Sequence, residues 1–458
     1  MQNILENAQE RMFETTIRLG VTGLSRAGKT VFITSLIANL LERGRLTQVP
    51  AIARGSLAGV YLRPQPNDTL PRFAYEQHLG DILGTNEAPK WPQSTRAISQ
   101  LRLTFKIHPQ GFFSGMRRTH LVHLDIVDYP GEWLLDLPML KQSYQQWSQQ
   151  AIEQAKSTRR AKFSQAWRQL EIDPDAPLDE TMAQTVAGAY TDYLRHSHDA
   201  GLASCSPGRF LLPAELEGSP VLTFAPLLGG GKKGSLYHAF ERRFESYKSR
   251  VIKPFFRDHL AGIDRQVVLM DVLGAMASGP AAVHDLRQTM VDVLTCFKVG
   301  KNGMFSFLFG RSVDRILFAA TKADHLHHSQ HGAMSRITDA LLTDASDRAE
   351  FSGAQTQSLA LAALRTTVEQ RIQHQGQTLD AVRGRVMETG KQAVIYAGEL
   401  PEDPKQVLLA DPDQAAWLNA EYQATRFLPA KNNLRAGDGP PHIRLDRAIE
   451  FLIGDKLQ

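Results

Sequence analysis

Residues 17–42 read IRLGVTGLSRAGKTVFITSLIANLLE, and the order of residue types in this stretch decides the fold class. Ile17 to Thr22 is a short apolar run suited to a buried strand, and Gly23 to Gly28 is a loop bounded by glycines. Lys29 to Glu42 carries Val31, Leu36, Ile37, Leu40 and Leu41 mostly on one helical side. Between strand and helix, Gly23-Leu24-Ser25-Arg26-Ala27-Gly28-Lys29-Thr30 fits G-x-x-x-x-G-K-[ST]. Glycines let successive backbone amides turn inward onto phosphate oxygens, and the following helix adds the positive end of its dipole. Gly23, Ser25, Arg26, Ala27, Gly28, Lys29, Thr30 and Val31 are therefore candidate phosphate ligands. Lys29 is expected to reach the β- and γ-phosphates of a nucleoside triphosphate, and the Thr30 hydroxyl to face Mg²⁺. A second glycine run, Gly229 to Gly234, lacks both flanks and reads as a flexible basic loop.

A phosphate loop of this kind needs a carboxylate at the end of a neighbouring strand to hold the magnesium shell. Leu121 to Asp128, LVHLDIVD, offers Asp128 there. Asp125 lies three residues earlier and faces the other side by the period of two, so it reads as structural. Asp128 also opens Asp128-Tyr129-Pro130-Gly131, a D-x-x-G element in which the Gly131 amide can sense a γ-phosphate. A second D-x-x-G, Asp271 to Gly274, ends another apolar strand, and chain order favours the first. Thr95, just before the Ile98 strand, is the candidate for a hydroxyl that completes the metal and γ-phosphate shell, with Ser94 and Thr69 as rivals. Glu132 follows Gly131 where a glutamine would commonly orient the attacking water. The catalytic candidates are thus Lys29, Thr95, Gly131 and Glu132, and the metal candidates Thr30, Thr95 and Asp128. Arg26 and Arg96 read as surface cations rather than internal arginine fingers.

Outward from the loop, a proline-rich, partly irregular excursion runs to about Trp91. Ile98 to His108 and Leu121 to Val127 predict an antiparallel strand pair joined by a turn-rich Pro109 to Thr119. Pro138 to about Phe256 turns helical, polar and glutamine-rich, and reads as an insert. Parallel-sheet character returns with Gln266 to Asp271, a helix from about Ala281 to Phe297, and Arg315 to Ala320. A helix near Met334 to Ala349, a strand near Leu359 to Ala363, another helix and a strand near Ala393 to Ala397 complete the expected core. The expected fold is α/β, a mostly parallel sheet flanked by helices, in a phosphate-loop domain of residues 1–137 and 257–458. Residues 138–256 form the inserted, mainly helical domain.

After the Arg315 strand comes Thr321-Lys322-Ala323-Asp324. T-K-x-D resembles the guanine-specificity element of Ras-like GTPases. That resemblance implies that Asp324 accepts hydrogen bonds from guanine N1 and N2 while the Lys322 stem lies along base and ribose. Adenine lacks that donor pair and would leave a carboxylate poorly satisfied. Ser358 to Ala363 resembles the last base-contacting strand, which would bring the Ala363 amide to guanine O6. With GLSRAGKT, LDIVDYPGEWLLDLP, DRQVVLMDVL and LFAATKADH together, nearly the whole chain resembles the bacterial YcjX-like proteins, a stress-associated P-loop GTPase family. The resemblance implies a Ras-like domain with an additional helical domain, Mg²⁺ as cofactor, GTP as substrate and GDP as product. A protein partner would engage the switch segments or the helical insert. Two rivals stand beside this reading, an ATP-hydrolysing enzyme and a nucleotide-gated interaction module with little turnover.

The bulk properties bound these expectations. Of 458 residues 42% are hydrophobic and 22% charged, enough for a sizeable core and a second lobe. The formal charge of +4 gives no reason to expect nucleic acid as a partner. Cys205 and Cys296 stand far apart without a C-x-x-C spacing, which argues against a disulfide framework or zinc ribbon and for a reducing compartment. Residues 1–20 lack the apolar core of a signal peptide, and no stretch approaches the roughly 18 apolar residues of a membrane span. A cytoplasmic location is expected, with peripheral membrane contact left open. His325, His327, His328 and His331 cluster after Asp324 with no carboxylate or cysteine pattern nearby in sequence, and read as a polar loop rather than a metal site. Met304 to Phe309, MFSFLF, reads as a buried loop beside the sheet rather than a membrane or partner contact.

Overall fold

A computed structural model describes residues 14–23, 26–85, 87–93, 95–108, 120–296, 313–351, 353–414, 416–417, 420–431 and 434–457. Ser25, Ser94, residues 109–119 (expected to be turn-rich) and the MFSFLF run lie outside them.

The apolar run before the glycine loop forms β1 (Thr15–Gly23). Beside it lie β4 (His120–Asp128) and β5 (Arg265–Met270), followed by β6 (Arg315–Ala320) and β7 (Gln355–Ala360), all parallel. The expected antiparallel pair is β3 (Ser99–Ile107) against β4, and β2 (Leu57–Arg63) adds an antiparallel edge. The seven strands run in the order β2-β3-β4-β1-β5-β6-β7. The strand expected to reach Ala363 ends at Ala360.

The principal helices are α1 (Lys29–Glu42), α2 (Tyr75–Leu83), α3 (Tyr144–Lys156), α4 (Ala161–Arg168) and α5 (Glu180–Asp199). They continue with α6 (Leu236–Tyr247), α7 (Val272–Ala277), α8 (Pro280–Cys296), α9 (His331–Phe351) and α10 (Leu445–Ile453). Side chains alternate across the sheet and feed two cores. Ile17, Leu19 and Val21 of β1, with Leu124 and Ile126 of β4, pack on Phe32, Ile33, Leu36 and Ile37 of α1 and Ile449 and Leu452 of α10. Val268 and Met270 of β5, with Ile316 and Phe318 of β6, face α8, α9 and the helices of residues 144–260.

The segment expected to be helical is helical, and its run continues past Phe256 to Leu260 through π-helical turns at Lys248–Ile252 and Phe256–Leu260. Its centre is an aromatic cluster in which Trp147 meets Phe244 at 5.2 Å and Phe224 at 5.5 Å between ring centroids. That cluster runs without a break through Trp133 and Phe255 to Val268 and Met270, so one apolar core serves both the helices and this face of the sheet.

Residues 368–385 correct an expectation. Where a helix was expected, VEQRIQHQGQTLDAVRGR forms the hairpin of β8 (Val368–His374) and β9 (Gln377–Arg385). Gln375 and Gly376, at φ 48° and 81°, supply the two positive-φ positions of a tight turn, which overrides the helix-friendly glutamines. The strand expected near Ala393 is β10 (Gln392–Ile395), which extends this small antiparallel sheet and not the main one. No helix among the described residues is long and apolar enough to cross a membrane.

Candidate functional site

The parallel register fixes the site. Val21 pairs with Asp128, so the end of β4 lies directly beside the loop that leaves β1. In the loop Arg26 and Gly28 both take positive φ, 63° and 79°, and a glycine adopts this at Gly28 without strain. Gly28 then caps α1, whose first helical bond runs from the Phe32 amide to the Gly28 carbonyl at 2.9 Å. Ala27 is buried and Val31 half-buried, while Gly23 closes β1 where an added Cβ would sit 3.0 Å from that of Leu269.

Four of the expected residues converge at the mouth of this loop. The Lys29 ammonium lies 2.9 Å from Asp128 Oδ1 and donates to the Tyr129 carbonyl. Thr95 Oγ1 donates to Asp128 Oδ2 at 2.7 Å and stands 3.4 Å from Thr30 Oγ1, which is also 3.4 Å from the Gln93 carbonyl. Two hydroxyls and a carboxylate make an all-oxygen donor set, which suits a hard cation such as Mg²⁺. The rival Thr69 lies elsewhere, exposed and bonded to Asn67. Asp125 is buried and paired with Arg102 at 2.6 and 2.8 Å, a structural use. Arg96 is exposed.

Beyond Asp128 the chain enters 3-10 turns from Gly131 to Lys141 that pack under the helical segment. Tyr129 is fully buried, its hydroxyl 3.1 Å from Gln266 Oε1, and burial pushes its phenol well above the usual range. Glu132 directs Oε1 toward His198 Nε2 at 3.6 Å, while the Arg26 guanidinium reaches the Asp199 carbonyl at 3.3 Å. The C-terminal end of α5 thus touches both the phosphate loop and the candidate water-positioning residue. Gly208 lies so close to Glu132 that an added Cβ would fall 1.9 Å from its carbonyl oxygen. Asp136 holds that contact, accepting from the Gly208 amide at 2.6 Å, Ser206 Oγ at 3.2 Å and the Tyr247 hydroxyl. Burial raises its carboxyl to about 6 despite these donors.

The T-K-x-D element forms a second cluster at the same, C-terminal edge of the parallel strands, the usual ligand edge of such sheets. The Thr321 amide donates to Met270 at 2.9 Å, and Lys322, in the left-handed region at φ 60°, turns its ammonium onto Asp271. Asp271 also accepts from the Gly274 amide at 2.9 Å and caps α7, so the second D-x-x-G is occupied by structural work. Asp324 is buried, and its Oδ2 accepts from the Thr366 amide at 2.8 Å and the Thr366 hydroxyl at 2.7 Å, which fixes the plane of the carboxylate. Ala363 follows β7 in a segment whose neighbour Ala362 bridges to Ile443. His331 Nε2 donates to the Ala323 carbonyl at 2.7 Å, and the His325 ring meets Phe427 edge-on. Burial lowers the pKa of both rings.

Thr366 and His198 were not singled out from sequence. Only Thr366 carried a signal, a hydroxyl soon after the strand that leads to Ala363. Around the histidines, β8 and β9 bring Glu369 and Asp380 to His328 and His327, carboxylates that are distant in sequence.

Over residues 17–457 the chain matches the YcjX-like family, DUF463. It is 37% identical over 475 aligned positions to the Escherichia coli (strain K12) protein named "Ras-like GTPase YcjX", covering 100% of this chain and 99% of that one. A protein of the same name from Shewanella oneidensis is 34% identical over 492 positions, with the same coverage.

Proposed function

Since the chain belongs to the YcjX-like family, we propose that it binds GTP at the Gly23 to Thr30 loop and hydrolyses it with Mg²⁺ to GDP and phosphate. The observation that carries this reading is the convergence of Thr30, Thr95 and Asp128 beside Lys29. Thr30, Thr95 and Asp128 hold the ion, which when bound neutralises charge on the β- and γ-phosphates. Lys29 leaves Asp128 and the Tyr129 carbonyl for the phosphate oxygens, and backbone amides of the loop surround them. Water attacks the γ-phosphorus as the bond to the β-phosphate oxygen breaks, and Glu132 orients that water. Asp324, held by Thr366, accepts from guanine, with Lys322 along the base and Ala363 near O6.

Asp128 to Glu132 and the Thr95 segment act as switches that respond to the γ-phosphate. Residues 138–256, read as an inserted helical domain, receive that change through Asp199, His198 and Gly208. Protein partners bind the switches or this insert, and a stress-response role belongs to the same proposal. The test is Mg²⁺-dependent phosphate release from GTP by wild type and Lys29→Ala, with GDP and ADP binding measured in parallel. Equal turnover by the variant, or equal affinity for the two diphosphates, would overturn it.

A further inference from the structure

We propose that His327, His328 and Glu369 form a binding site for a zinc-like divalent metal ion, with Asp380 as a positioning residue behind His327. The two histidines follow the T-K-x-D loop, and Glu369 and Asp380 come from the hairpin of β8 and β9. The available ligand atoms of His327, His328 and Glu369 all lie within 4.8 Å of one another. His328 Nδ1 is 2.8 Å and His327 Nε2 3.8 Å from the same oxygen, Glu369 Oε2. Ligands about 2.0–2.1 Å from a tetrahedral zinc stand roughly 3.4 Å apart. The observed spacings bracket that value, so small rotations of exposed His328 suffice.

The surroundings of His327 favour a ligand over a surface ion pair. Its side chain is 6% exposed, and its Nδ1 lies 3.2 Å from Asp380 Oδ2 and 2.9 Å from Ser329 Oγ. Ser329 Oγ in turn donates to Asp380 Oδ2 at 3.3 Å. Asp380 and Ser329 hold the ring at Nδ1 and so keep Nε2 turned toward Glu369, the arrangement found behind a metal-bound histidine. Arg371 at 3.0 Å anchors Asp380 Oδ1, and Glu369 Oε1 takes the His328 amide at 3.2 Å with Arg365 at 3.8 Å. Oε2 is therefore the oxygen turned to both imidazoles. Two imidazoles and one carboxylate select zinc-like ions over Mg²⁺ and leave a fourth position for water.

Such an ion ties β8 to the loop that carries Asp324. Thr366 and Thr367, which hold Asp324, immediately precede β8, so the ion braces the same turn from the other side. Binding itself does not depend on the nucleotide reading, and the two fail separately.

The test is a calorimetric titration of the metal-stripped full chain with Zn²⁺, with and without millimolar Mg²⁺, followed by Co²⁺ substitution. One equivalent is expected, undisturbed by Mg²⁺, with a visible Co²⁺ spectrum of low coordination number and a Zn²⁺-dependent rise in melting temperature. His327→Ala and Glu369→Gln should each weaken binding more than about tenfold, and Asp380→Asn by about 10–100-fold. His238→Ala, at an exposed histidine elsewhere, should bind as wild type does. Circular dichroism verifies that each variant is folded. Absence of stoichiometric binding, or undiminished binding by folded Glu369→Gln and His327→Ala, would show the cluster to be an ion-pair network and overturn the proposal.

Discussion

Adding one methyl group at Gly208 should disable turnover while sparing nucleotide affinity. The new Cβ would lie 1.9 Å from the Glu132 carbonyl oxygen, 2.4 Å from its carbonyl carbon and 3.1 Å from the Trp133 amide nitrogen. Against a van der Waals optimum near 3.5 Å, the first contact is short by roughly 1.6 Å. All three atoms are backbone, so no side-chain rotation relieves the clash. The Asp136 carboxylate, on the same 3-10 segment as Glu132, holds the Gly208 amide at 2.6 Å, which resists retreat of residues 206–208. The displacement therefore falls largely on Glu132 and the turn after Gly131. Overpacking of this kind costs about 1–3 kcal/mol of stability. A misplacement of about 1 Å in a positioning group costs on the order of 10²-fold in rate. The assay is single-turnover phosphate release from GTP with Mg²⁺, paired with GDP binding and chemical denaturation. Gly208→Ala should lose about two orders of magnitude in rate and keep GDP affinity, because Lys29, Thr30 and Asp324 lie outside the clash. Wild-type turnover by a folded Gly208→Ala would refute the role given to Glu132.

Asp324→Asn should weaken GDP binding by about 1.5–3 kcal/mol, the worth of hydrogen bonds to a charged acceptor, and leave ADP binding unchanged in calorimetry. Thr95→Ala removes one hydroxyl from the oxygen set, so the Mg²⁺ concentration for half-maximal turnover should rise, read from a metal titration of phosphate release. The Asp136 carboxyl is raised from 3.8 to about 6, so the folded state holds that proton more tightly than the unfolded chain. The resulting stabilisation is complete below about pH 4 and is lost as pH rises through about 6. The unfolding free energy of wild type relative to Asp136→Asn should therefore grow by up to about 3 kcal/mol from pH 7 to pH 4; a flat difference would contradict it.

The elements that were legible in sequence are those in which local pattern and tertiary role coincide. The apolar runs at Ile17 and Gln266, the glycines at 23 and 28, and the Lys29 helix each satisfy local preference and the sheet at once. Asp128 was singled out by chain order and the strand-end rule, and the geometry sets it against Lys29 and Thr95. What sequence did not reveal depends on residues brought together from afar. Glu369 and Asp380 sit more than 40 residues beyond the histidines they meet, and Thr366 stands 42 residues from Asp324. The 368–385 hairpin was missed because its strands are half-exposed and polar, so the period of two is faint and Gln375-Gly376 is its main marker. The proximity of α5 to the phosphate loop had no sequence signal, since Asp199 uses its backbone carbonyl there.

The ion pair between Lys29 and Asp128 makes the loop its own competitive inhibitor under the proposed function. An incoming triphosphate must take Lys29 from a carboxylate that is already in place, which lowers its apparent affinity by the fraction of chains in the paired state. A cation that captures Asp128 removes this competitor and frees the ammonium for phosphate. By reciprocity the triphosphate then strengthens the hold on the cation by the same factor. Metal and nucleotide thus become linked ligands of one exchange, and each alone should bind more weakly than the pair.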